Sequence, residues 1–305
     1  VANILVVGSY VVDLMSRTPH MPSPGETVLG GPFHMGPGGK GGNQAVAAAR
    51  LGSRVTMLTK VGHDVFGDEA LKNFTTENID TTHVTRHPDE VTGTALIAVD
   101  DQRENMIVVA PGACGKITKE DIVKAEQSFK DADIVLVQLE TSMEAVETTI
   151  NLANKLGKPI ILNPAPYQDV SQDLLEKIDY ITPNETEASL LSGVKVMDEA
   201  SAREASIKLK EQGVHTVLIT LGKTGCFVYD GTSEGGIVPA FSVNVVDTTG
   251  AGDAFNGAFA TFIANGLSLQ EAVTRANAVA ALAVTKVGTA PAMPFAEEVE
   301  KFLAE

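Results

Sequence analysis

The residues best able to do chemistry lie together in DTTGAGDAFNGAF, Asp247 to Phe259. Gly250, Ala251 and Gly252 carry little or no side chain, so a ligand can approach the main chain closely, and they stand where a helix should begin. Apolar residues follow at Phe255, Ala258, Phe259, Phe262 and Ile263, the i, i+3, i+4, i+7, i+8 spacing of a core-facing helix. The glycines therefore form a predicted helix N-terminus. Unpaired N–H groups and the positive end of the helix dipole collect there, and both favour an oxygen carrying negative charge, such as a phosphoryl group in transfer. Asp253 in that first turn has two readings. It is either a partner of the helix dipole, worth about 0.3–1 kcal/mol, or a general base taking a proton from a hydroxyl that attacks a phosphate bound to the adjacent amides.

A second glycine-rich stretch, FHMGPGGKGGNQAVAAARLG from Phe33 to Gly52, leads into the strongly helical run Ala45 to Leu51. Gly36, Gly38 and Gly41 fit G-x-G-x-x-G, but a proline interrupts the pattern and irregular chain precedes it, which excludes a dinucleotide turn. Gly222-Lys223-Thr224 looks like the end of a P-loop, yet Val217 occupies the place of its first glycine. His83 and His87 have a zinc-like i, i+4 spacing, but threonines and Pro88 deny them a helix. Cys114 and Cys226, the only cysteines, stand far apart in no metal-ligand spacing. Cys226 opens a strand and reads as core, and a reduced, cytoplasmic setting is the expectation.

The Asp247 to Asp253 run resembles the second signature of the ribokinase family of carbohydrate kinases (PfkB type), DTxGAGD, which ends in the catalytic aspartate; every position is matched. Gly38 to Asn43 resembles the family's first signature in the form GGKGANQAVAAARLG, and the resemblance covers essentially the whole chain. It implies an ATP- and Mg²⁺-dependent kinase that phosphorylates the 5-hydroxyl of an aldopentose, with Asp253 as base and the Gly250, Ala251 and Gly252 amides stabilising the transferring group. By the same resemblance Val11, Asp13, Gly39, Lys40, Gly41, Gly42, Asn43, Glu140 and Asp253 line or bind the sugar. Asn184 and Glu187 position phosphate and magnesium, Glu187 through water, in keeping with the hydration Mg²⁺ prefers. Taken alone, those two residues would be an N-cap asparagine and a first-turn acid.

Thr220, Gly222, Gly225 and Asn277 are implied to line the nucleotide, although Asn277 read by itself is a surface amide. A K⁺ site beside the anion hole is implied at Asp247, Thr249, Ala283, Lys286 and Gly288, where Ala292 offers no hydroxyl in place of the serine some relatives carry. Val11 divides the substrate reading. Ribokinases usually have GSxNxD where this chain reads GSYVVD, while 2-deoxyribose kinases look like GSxMVD, and MLTKVGHDVFGDEA also resembles the latter. D-ribose and 2-deoxy-D-ribose both stay open. So does another sugar of the family, or a sugar-binding protein without turnover, against which the intact Asp253, Gly250, Gly252, Asn184 and Glu187 argue.

Elements that could position these groups follow from the pattern. NILVVG is a short buried strand, and its apolar run is too short for a signal core or membrane span. From Val55 onward strands and helices alternate: VTMLTKV, a helix from about Phe66, a helix from Thr118, IVLVQLE, a helix from Met143, PIILN, DYITP, helices near Asn184 to Leu191 and Glu199 to Gln212, and TVLITLG. This predicts an α/β fold, a doubly wound and mostly parallel sheet flanked by helices. CFVYDG and the run to Phe241 add antiparallel strands, and Ser268 with Glu271 forms a capping box for a helix to about Thr285. Two proline-broken or hairpin-like segments, about 11–35 with its ETVLG run and 93–110 around DDQREN, read as strands of a small β-sheet lid within one 305-residue domain. Lys+Arg 23 against Asp+Glu 39 gives a net charge of −16, which excludes nucleic-acid and anionic-membrane partners. Open lid edges predict a homodimer joined lid to lid.

Overall fold

Both faces of the first strand are buried. In β1 (Asn3–Val7), Ile4 and Val6 enter one apolar core while Leu5 and Val7 enter another. An unbroken apolar strand alternating between two cores belongs in a parallel sheet covered by helices on each side. The computed structural model describes residues 1–102 and 104–304. Its further strands are β2 (Val11–Arg17), β3 (Phe33–Gly38), β4 (Arg54–Val61), β5 (Asp80–Arg86), β6 (Thr92–Val99), β7 (Asn105–Gly112), β8 (Ile134–Gln138), β9 (Ile160–Asn163), β10 (Tyr180–Ile181), β11 (Thr216–Thr220), β12 (Gly225–Tyr229) and β13 (Gly236–Pro239).

The large sheet runs β13-β12-β11-β10-β9-β8-β1-β4-β5 and is parallel except where β12 pairs with β11 and β13. The chain first moves from β1 out to β4 and β5, and later from β8 in the opposite direction. The order therefore reverses between β1 and β8, and ligands of open α/β sheets sit beyond strand carboxyl ends at such a switch. Gly8, Ser9, Gln138 and Glu140 lie at that place. Among the described residues no helix is long and apolar enough to cross a membrane.

The two segments outside the alternating core meet in a second sheet, ordered β3-β2-β6-β7. Its hairpins are antiparallel and joined by a parallel seam running from Val11 opposite Gly93 to Arg17 opposite Val99. One expected strand is absent: ETVLG lies in the strandless connection between β2 and β3, with Leu29 exposed. Pro19, Pro22 and Pro24 interrupt this connection, and proline has no N–H for a ladder. The predicted turn at DDQREN includes Arg103, which lies outside the described residues. The helix expected from Thr118 is divided at Ala125 into Lys119–Lys124 and Glu126–Asp131. The capping box of Ser268 and Glu271 is present at the start of helix Leu269–Ala283.

Helices Lys40–Arg50 and Ala251–Ala264 pack on one another below the second sheet's attachment. Glycines set their distance. A Cβ on Gly257 would stand 2.4 Å from the Gln44 carbonyl oxygen and 2.7 Å from Ala47 Cβ; one on Gly41 would stand 2.7 Å from Gly8 Cα. The Lys40 helix is thereby pressed against the end of β1. Gly257→Ala should lower stability by about 1–3 kcal/mol through overpacking, despite the roughly 1 kcal/mol that alanine gains over glycine in a helix. A thermal melt measures it, and an unchanged or higher melting temperature would contradict so close an approach.

Candidate active site

Asp253 is 7% exposed and lies in the first turn of the Ala251–Ala264 helix. Gly250 caps that helix with φ 79°, a left-handed geometry that favours glycine, so the chain turns sharply and presents the first amides of the helix. The Asp253 carboxylate is held from below by two amide side chains of the Lys40–Arg50 helix. Asn43 Nδ2 donates to one oxygen at 2.9 Å and Gln44 Nε2 to the other at 3.0 Å.

Gln44 is itself fixed. Its Nε2 also donates to Asn163 Oδ1 at 2.9 Å, and Gln138 Nε2 donates to its Oε1 at 2.7 Å. Asn163 Nδ2 donates to the Thr182 carbonyl at 3.2 Å, the Thr182 hydroxyl to Asn256 Oδ1 at 2.5 Å, and Asn256 Nδ2 to the Gly252 carbonyl at 2.8 Å. This ladder of buried amides starts at the end of β8, crosses the ends of β9 and β10, and returns to the helix that carries Asp253. Sequence reasoning assigned no site role to Gln44, Gln138, Asn163, Thr182 and Asn256. The available signal was a glutamine inside the apolar run IVLVQ and another ahead of an alanine-rich helix, since a polar side chain in such a run needs partners.

A cavity of about 180 Å³ opens above Asp253, lined among others by Lys40, Asn184, Glu187, Thr220, Gly250 and Gly252. Asn184 and Glu187 cap each other: Glu187 N–H donates to Asn184 Oδ1 at 2.8 Å and Asn184 N–H to Glu187 Oε2 at 3.0 Å. The capping role and a place in the cavity are thus compatible. Burial raises the Glu187 carboxyl above its ordinary range and Asp253 adds to this, against the Asn184 N–H and Lys40. Burial would depress the Lys40 ammonium, but Asp253, Glu140, Glu187 and Asp13 outweigh it and hold it up.

Glu140 closes the switch point between β1 and β8. Its Oε2 accepts from the Ser9 hydroxyl at 2.5 Å and the Lys40 N–H at 2.9 Å. Asp13 leans over Gly38, where a Cβ would come 2.2 Å from its Oδ1, and it lines a second cavity of about 620 Å³ between the small sheet and the loops 245–249 and 287–291. Burial pushes the Asp13 carboxyl up to about 6; Glu140 and Asp253 raise it as well, opposed by the Thr289 hydroxyl and Lys40. Gly39, with φ 82°, turns the chain into the Lys40 helix, and Gly42 N–H donates to the Ser9 carbonyl at 2.9 Å.

Other predicted residues stand differently. Val11 is buried in an apolar cluster with Ala95 and Cys114 and lines neither of the two cavities above. Asn277 is not the surface amide it would be by itself: it is 6% exposed and its Nδ2 donates to the Val238 and Pro239 carbonyls at 3.0 and 3.1 Å. Gly225 has φ 119° and its Cβ would meet the Val238 oxygen at 2.1 Å, whereas Gly222 faces open space. Asp247 ties two loops, accepting from Thr249 N–H at 2.9 Å and Gly288 N–H at 3.0 Å. Ala283 caps the same corner by accepting from Lys286 N–H at 3.1 Å, and Lys286 Nζ pairs with Glu298. Among the described residues no group of three or more His, Cys, Asp or Glu is placed to hold a metal.

The pfkB family carbohydrate kinase model matches residues 1–296. The chain is 42% identical over 300 residues to a ribokinase from Haemophilus influenzae, covering 98% of each. It is 39% identical over 303 residues to a deoxyribokinase from Salmonella typhi, covering 99% of each. A solved ribokinase from Arabidopsis thaliana, complexed with ribose and ATP, superposes with a TM-score of 0.91 at 30% identity over 100% of this chain and 99% of that one.

The raised Asp13 carboxyl has a consequence for stability. Between its ordinary 3.8 and about 6 the folded chain binds a proton that the unfolded chain has released. Its contribution is therefore full below about pH 4 and lost as pH rises through about 6. Asp13→Asn, which cannot ionise, should melt above the parent chain at about pH 7.5, with the advantage shrinking toward pH 4. The same difference at both pH values would contradict a buried, ionised Asp13.

Proposed function

We propose, from the premise that this chain belongs to the pfkB family of carbohydrate kinases, that it transfers the γ-phosphoryl group of ATP to the 5-hydroxyl of D-ribose or 2-deoxy-D-ribose. The observation that carries the reading is Asp253 standing beside the amides of a helix N-terminus, in a cavity shared with Asn184, Glu187 and Lys40 and flanked by Asp13 and Glu140. The sugar oxygen forms a bond to the γ-phosphorus, the bond to the bridging oxygen breaks, and ADP leaves with the electron pair. The hydroxyl proton passes to Asp253. The Gly250, Ala251 and Gly252 amides face the equatorial oxygens, where charge is greatest in transfer. Asp13, Glu140 and the Gly39 to Asn43 segment hold the sugar beneath the small sheet, which acts as a lid within a single domain. Thr220, Gly222 and Gly225 border the adenosine end, and Asn277 supports it by fastening β13.

The donor set fits Mg²⁺, since Glu187 offers one carboxylate and a hard cation retaining most of its water needs little more; when bound it neutralises phosphate charge. Asp247, which accepts from the Thr249 and Gly288 N–H groups, would by the family resemblance hold K⁺ together with the carbonyls of Thr249, Ala283, Lys286 and Gly288, and the ion would steady the loop before the helix start. Leu96 and Val108, paired across β6 and β7 and exposed by 54% and 65%, favour a homodimer in which a second copy covers this sheet.

An assay of ADP release with ribose and 2-deoxyribose, in K⁺ and in Na⁺ at equal ionic strength, tests the reading. Turnover should occur with at least one pentose, rise in K⁺, and fall by roughly 10²–10⁴ in Asp253→Asn with the fold intact. Less than about a tenfold loss would put the base elsewhere.

A further inference from the structure

The Thr289 hydroxyl has one proton and two acceptors. It is 7% exposed, with Oγ1 3.2 Å from Asp13 Oδ2 and 3.0 Å from the Pro37 carbonyl oxygen. It lines the 620 Å³ cavity with Asp13, and its main chain lies against the helix start, where a Cβ on Gly250 would come 3.3 Å from Thr289 Cα. A hydroxyl donates one hydrogen bond at a time. Rotation about a single side-chain bond therefore decides whether Asp13 or Pro37 receives it.

A buried acceptor left without a donor is costly, and a site arranged around a substrate hydroxyl rejects the analogue lacking it. A protein hydroxyl able to replace the missing one removes that rejection. Val11 cannot do so, since its side chain is apolar and packs with Ala95 and Cys114. We propose that the 2-position of the pentose lies against Asp13 and that Thr289 sets the breadth of sugar specificity there: it donates to Asp13 when the pentose lacks a 2-hydroxyl, and turns to Pro37 when the pentose supplies one. The inference rests on the pentose kinase reading above and adds the group that reads the 2-position. In the second state the bond to Pro37, at the end of β3, also fastens the small sheet to the loop that follows Gly288.

The test is kcat/KM for ribose and 2-deoxyribose in the parent chain, Thr289→Val and Thr289→Ser. Valine keeps the branched shape without the hydroxyl, and serine keeps the hydroxyl without the methyl group. The ratio of 2-deoxyribose to ribose should fall roughly tenfold or more in Thr289→Val and stay near the parent value in Thr289→Ser. Should the valine variant fail to fold, Thr289→Ala read against Thr289→Ser makes the same comparison. Equal loss on both sugars, or an unchanged ratio, would reduce Thr289 to a fastening and overturn the inference alone. A parent chain that turns over neither pentose overturns the substrate reading and this inference together.

Discussion

A carboxylate that works beside a phosphate must be held still without being neutralised, and uncharged amides can do this. Asn43 and Gln44 reach Asp253 from 210 and 209 residues away in the chain, one N–H to each oxygen. An amide supplies donors with no counter-charge and leaves the carboxylate's remaining lone pairs for a substrate proton. The rest of the fold serves that contact. Gln138, Asn163 and Thr182 stand at or just beyond the carboxyl ends of three neighbouring strands, so the sheet's register fixes the ladder that orients Gln44. A slip of one residue would turn the amide to the other face.

Close approach is the second requirement. A Cβ at Gly8 would stand 2.0 Å from Gln138 Oε1, and those at Gly41 and Gly257 would strike backbone atoms of the opposing element. The glycines thus let the helix of Asn43 and Gln44 settle between β1 and the helix of Asp253. Charge completes the arrangement. The chain carries a net −16, yet the cavity has the helix N-terminus and Lys40, whose ammonium is retained because four carboxylates outweigh its burial. An anionic nucleotide needs no basic surface where helix N-terminal amides and a lysine can meet its phosphates.

The elements and the helix start at Gly250 were legible because they are local: apolar periodicity, glycine placement and capping pairs such as Ser268 with Glu271 involve residues a few positions apart. The small sheet was legible only in part. Two hairpin-like segments could be seen, but the parallel seam of β2 and β6 joins residues about eighty positions apart, and a period-two pattern does not name its partner. ETVLG shows the reverse, an extended-looking run that finds no ladder. The main groups of the site came from matched motifs. Their supports did not, because Gln138 or Asn163 looks like a strand-terminal polar residue until its partner, from another part of the chain, is in place. Asn277 differs from a surface amide for the same reason: the direction of a side chain is a tertiary property.

In the proposed reaction Gln44 acts through Asp253, holding its carboxylate for proton transfer. A double-mutant cycle of Gln44→Met and Asp253→Asn, read in kcat under saturating sugar and ATP, tests this most directly. Gln44→Met should lower kcat by roughly 10- to 100-fold, the scale of a misplaced reacting group, and should add little further loss in the Asp253→Asn background. Losses that multiply in the double variant, or a Gln44→Met variant with unchanged kcat, would mean that the amide ladder supports the fold and not the base.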